Sequence, residues 1–118
     1  MSLPKLPTIA LEVVQSEART FTFRFIDKRT REPIDLTARV VTFSVRDELG
    51  SGTTLIQETT THQAQAPLAT RGKTDLNLST SDTNVDRGEH VWDLWLDDER
   101  AVRNSVFIVT GSARYGEP

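Results

Sequence analysis

The sequence predicts an all-β protein: a two-layer antiparallel β-sandwich of about seven to eight strands. Two segments alternate cleanly, Thr20-Phe21-Thr22-Phe23-Arg24-Phe25 and His90-Val91-Trp92-Asp93-Leu94-Trp95-Leu96. Successive side chains on a strand point to opposite faces, so each segment has one greasy face. Turn-forming residues recur about every 8–12 positions, and no stretch carries the apolar period of a useful helix. At 118 residues the chain has the length of one domain. Its 36% hydrophobic content implies a thin core under a wide polar surface.

Residues 1–8 hold Pro4 and Pro7 and read as an extended lead-in to a single domain over 1–118. Residues 9–14 form a short apolar run, a first strand, and 15–18 a turn. Residues 20–25 follow, with Phe21, Phe23 and Phe25 on one face. The charged segment 27–32 is a hairpin-like turn, and Pro33 cannot continue a central strand. Residues 39–46 place Val41, Phe43 and Val45 inward; Val40 is out of phase and expected at a bulge or partly exposed. Gly50 and Gly52 mark the loop 47–53, and the β-branched, polar 54–60 reads as an edge strand. The twelve residues 61–72, rich in Ala, Gln and Thr, are expected to be a mobile loop with few apolar anchors.

Leu76 and Leu78 point inward from a strand over 73–78. Ser79 to Asp86 suits one turn capped by Ser79 or Ser81. Gly88 opens the strand 89–96, with His90, Trp92, Leu94 and Leu96 inward. A charged turn at 97–100 leads into a final strand over 101–114, from which Val102, Val106 and Ile108 are expected in the core; a short tail, 115–118, ends the chain.

The composition excludes several chemistries. There is no cysteine, hence no disulfide, thiolate nucleophile or zinc–thiolate site. The net charge is −3, and the densest basic cluster is Lys28, Arg29 and Arg31 in a turn, which argues against nucleic acid and anionic membranes. No apolar run approaches the length of a membrane span, and the first residues lack the pattern of a signal peptide. The two histidines, His62 and His90, fall in the 61–72 loop and at the start of a strand, and no Gly-x-Ser-x-Gly elbow accompanies them. Asp82, Asn84 and Asp86 echo a calcium loop, but Arg87 stands where the loop glycine belongs. Asp97, Asp98 and Glu99 read as a hairpin turn. The sequence therefore assigns no catalytic residue, metal or cofactor.

Trp95 carries the most information. If Trp92 faces the core, Trp95 faces outward beside Val91 and Asp93, and exposed aromatics are enriched at interfaces. These three residues, Trp95, Val91 and Asp93, form the expected interaction set, contacting a protein or a sugar. The bland alternative has Trp95 covered by a loop such as 61–72 or packed against a strand neighbour.

Three ordered segments carry a resemblance: 21–25 with Pro33-Ile34-Asp35-Leu36-Thr37 and the strand 41–45; Leu76-Asn77-Leu78-Ser79 with Ser81-Asp82-Thr83; and Gly88 with 91–96 and a closing strand. Over roughly residues 17–114 this resembles the immunoglobulin-like N-terminal domain of phage baseplate upper proteins and related phage or prophage tail structural proteins. The resemblance implies an immunoglobulin-like sandwich and a non-enzymatic virion component, made in the bacterial cytoplasm. The partners it implies are other tail or baseplate proteins or further copies of the chain. A carbohydrate-binding sandwich is the alternative that the residues leave open. Two departures stand out: the chain stops after one domain, and the 61–72 loop is long.

Overall fold

The computed structural model describes residues 10–47 and 53–111, without the side chain of Asn104. The lead-in prolines, Ile9, the Gly50–Gly52 loop and the tail lie outside the described residues. Among the described residues eight strands run in chain order: β1 (Leu11–Val14), β2 (Arg19–Arg24), β3 (Val41–Arg46), β4 (Thr54–Thr59), β5 (Thr61–His62), β6 (Lys73–Leu78), β7 (Gly88–Leu96) and β8 (Glu99–Thr110). They form a five-stranded sheet ordered β1-β8-β7-β3-β4 and a three-stranded sheet ordered β2-β6-β5, stacked as a sandwich compatible with the immunoglobulin-like class. Every pairing between strands is antiparallel except β1 on β8, where Leu11 lies opposite Phe107 and Val13 opposite Val109.

Parity places the core. Val41, Phe43 and Val45 from β3, with Trp92, Leu94 and Leu96 from β7, are almost wholly buried. The small sheet answers with Leu76 and Leu78 from β6 and the half-buried Phe21 and Phe23 from β2. Trp92 sits at the centre, its ring centroid 5.9 Å from Phe23 and 5.6 Å from Phe43. Ile34 and Leu36 close one end of the sandwich. Val40, off the alternation, is half exposed.

β8 corrects the expected core. Its register against β7 shifts twice, so that Trp92 opposes Ser105, Leu94 opposes Val102 and Trp95 opposes Arg100. Three residues separate Ser105 from Val102 where β7 spends two. An extra residue in one strand reverses the facing of everything beyond it. Phe107 and Val109 therefore enter the core, while Val106 and Ile108, expected there, lie half exposed on the outer face. Val102 is buried as expected.

The chain changes sheets at Thr60. β4 ends at Thr59 in the large sheet and β5 begins at Thr61 in the small one. Thr60 is held by its amide on the Val41 carbonyl (3.0 Å) and by a hydroxyl contact with Thr74.

The 63–72 segment is also tied down, by polar groups rather than apolar anchors. The Gln65 side chain accepts from the amides of Leu36 (3.0 Å) and Gly72 (2.9 Å) and donates to the Gln63 carbonyl (2.7 Å). Arg71 donates to the carbonyls of Gln65 and Ala66, and Arg24 reaches the Leu68 carbonyl. Gly72 has φ +85°, and a Cβ there would meet the Phe25 carbonyl at 2.6 Å, so the turn needs glycine for its conformation and its close approach. The capped turn forms at Ser79: its amide donates to the Asp82 carboxylate (2.9 Å), and the Asp82 amide donates to its hydroxyl (3.1 Å).

Candidate functional site

The residues with catalytic potential are tied into the scaffold. β5 carries His62 half-buried, not in a solvated loop, and both of its ring nitrogens are engaged. Nδ1 lies 2.9 Å from the Thr74 hydroxyl and Nε2 lies 2.7 Å from the Arg39 carbonyl. Thr74 is wholly buried, so its hydroxyl has no path to a substrate. His90 is 6% exposed. Its Nε2 donates to the Asp86 carbonyl (2.8 Å), and its Nδ1 faces the Asp47 carbonyl (3.3 Å). Each histidine fastens a loop to a sheet.

The acidic groups are dispersed in the same way. Asp82 is folded back on Ser79, and Asn84 accepts from the Ser16 hydroxyl (3.1 Å). Among the described residues, no three His, Asp or Glu side chains converge at metal spacing. Asp97 adopts φ +53° in the β7–β8 turn and takes the Val40 amide (2.9 Å) and the Arg39 guanidinium. Those contacts, the amide first, hold its carboxyl below the usual range. Glu58 is different: it points inward from β4, and the Asp82 carboxyl beside it raises its pKa.

The three residues of the expected interaction set share the outer face of β7 but not one patch. Val91 lies half buried opposite Val106. Asp93 is only 2% exposed and bonds the Arg46 guanidinium at 2.9 Å, since β7 is the middle strand and β3 crowds it. Trp95 is half exposed, with the Arg100 guanidinium 4.6 Å from its ring centroid. Its local cover is thus Arg100 from β8, not the 61–72 segment. The side of the indole toward β3 opens on a shallow depression of about 300 Å³ lined by Thr42, Ser44, Thr54, Gln57 and Asp97.

A second surface was not anticipated. β1 ends the large sheet and β2 ends the small one, so among the described residues each has an edge without a strand partner. Between them lies a groove of about 480 Å³ bordered by residues 10–14, Arg19, Phe21 and Thr110. Arg19 stands at its mouth, 4.7 Å over the Phe21 ring, and donates to the Glu12 carbonyl (3.3 Å). The sequence held a signal for this edge. Arg19 is in phase with Phe21 and Phe23, and a charge on the inward face is one way a sheet protects its edge.

No protein-family model matches this sequence, and no curated protein does.

Proposed function

We propose that this protein is a non-catalytic assembly module, a structural component of a phage or prophage particle that docks onto tail or baseplate proteins through its β1–β2 side. The observation that supports this is a pair of strand edges flanking one groove, neither with a strand partner among the described residues. An extended segment from a partner would pair its backbone with β1 and lengthen the five-stranded sheet to six. Alternate apolar side chains of that segment would meet the half-buried Phe21 and the small accessible part of Leu11, which line the groove. A carboxylate on it would meet Arg19, the cation at the mouth. Main-chain pairing supplies affinity, and the alternate side chains and the Arg19 charge supply choice of partner.

The particle assignment is supported by the ordered motifs Pro33-Ile34-Asp35-Leu36-Thr37, Ser81-Asp82-Thr83 and Val91-Trp92-Asp93-Leu94-Trp95-Leu96, which resemble the baseplate family. It is tested by mass spectrometry of purified, nuclease-treated particles from the strain that carries the gene. The expected result is this chain at a fixed copy ratio to the major tail proteins. Expression of the chain in cells whose particles lack it would overturn the assignment.

A further inference from the structure

The depression beside Trp95 lies toward the β4 edge, across the large sheet from β1, so it is free of the docking surface just described. Its wall is half an indole. Trp95 is clamped on one side by Arg100, which does not line the depression, and its remaining surface faces Thr42, Ser44 and Gln57. Trp95 stands directly opposite Thr42 on β3, and Ser44 stands opposite Gln57 on β4, so the groups fall in rows on one pleated face. Among the described residues, the side chains of Thr42, Ser44 and Gln57 form no hydrogen bond within the protein. Two hydroxyls and an amide thus stand ready to donate and accept. Asp97 closes one end. Its carboxylate oxygens already accept the Val40 amide and the Arg39 guanidinium, and each keeps a second lone pair.

We propose that this depression is a saccharide subsite, in which a pyranose ring lies on the accessible part of the half-buried Trp95 indole and its hydroxyls bond Thr42, Ser44 and Gln57. The chemistry selects the ligand class. The C–H face of a sugar ring carries partial positive charge and suits the negative face of an aromatic ring. Its rim of hydroxyls matches groups that are both donors and acceptors. The one carboxylate in the lining is neutralised by Arg39, so neither a phosphate nor a strong cation finds a complementary charge. A volume of about 300 Å³ is at the small end of ligand sites, which fits a ring or two rather than a long chain. Arg100 fixes the indole before the sugar arrives, so little ordering entropy remains to oppose binding.

The test uses the full chain, fluorescently labelled, on an array of immobilised oligosaccharides, followed by calorimetric titration of the retained glycan. A defined glycan class should be retained. Trp95→Ala should weaken it at least about tenfold, or about 1.4 kcal/mol, and Trp95→Phe should lose less. The double variant Ser44→Ala/Gln57→Ala should also weaken it, by about three- to tenfold. Neither side chain of that variant belongs to the core, so it decides the matter if Trp95→Ala fails to fold. The proposal is overturned if no glycan is retained, or if the folded variants bind like the parent. A failure here leaves the β1 docking test untouched, because the two surfaces share no residue.

Discussion

Replacing Trp92 by alanine removes the indole at the centre of the sandwich. Its side chain is wholly buried, with Phe23 and Phe43 at 5.9 and 5.6 Å. Truncating a buried aromatic to alanine costs about 3–5 kcal/mol, and the rigid sheets on either side cannot collapse into the space. Unfolding entropy of about 2.1 cal/mol/K per residue gives roughly 0.25 kcal/mol/K for a chain this long, so a loss of about 4 kcal/mol lowers Tm by about 16 °C. The same change at Trp95 forfeits a half-exposed ring and its stack with Arg100, about 1–1.5 kcal/mol together, and lowers Tm by about 4–6 °C. Thermal unfolding followed by circular dichroism compares the two variants under one buffer. The reasoning fails if Trp95→Ala destabilises as much as Trp92→Ala, or if Trp92→Ala moves Tm by only a few degrees. Either result would mean that the parity of β7 is inverted.

Three further predictions follow from local geometry. Asp82 raises the pKa of Glu58 above its usual 4.5, so the native state loses stability as pH climbs through 4.5 to the folded value; Glu58→Gln should raise Tm at pH 7, by the equivalent of at most about 0.5 kcal/mol because solvent screens the pair, and the gain should vanish below about pH 4 in a pH series of melts. The carboxyls of Asp75, held down by Gln63 and Thr22, and of Asp97, held down by the Val40 amide and Arg39, act oppositely; their stabilisation is present above pH 3.8 and lost as pH falls through their folded values, so Asp75→Asn should flatten the acid limb of the same series. Gly72→Ala forces a Cβ to within 2.6 Å of the Phe25 carbonyl at φ +85° and should cost about 2 kcal/mol or more in urea unfolding, without changing the slope of the transition.

What the sequence made legible is what alternation controls. β3, β6 and β7 bury the residues that period two assigns to them, β2 half-buries its Phe21 and Phe23, and Pro33 to Leu36 closes the sandwich end as its apolar pair implies. β8 departs from simple alternation beyond Val102 because its bulges insert residues that a single strand cannot reveal; they exist only as register against β7. The 63–72 segment looked unanchored because its anchors are Gln65 and Arg71, residues that hydropathy counts as solvent-facing. Asp93 looked exposed for a related reason: facing away from the core is not facing water on a central strand whose neighbour supplies Arg46. The Trp95 depression draws on β3, β4 and β7, segments distant in sequence, so only the sheet order assembles it.

The proposed docking surface can be interrogated directly by a photo-crosslinking residue, p-benzoylphenylalanine, placed at Glu12 on the groove or at Asn77 on the outer face of β6, in chains offered to assembling particles. Docking at the β1–β2 side should give a crosslink to one tail or baseplate protein from position 12, its loss on Arg19→Glu, and none from position 77. Crosslinking from position 77 alone, or from position 12 regardless of the Arg19 charge, would contradict it.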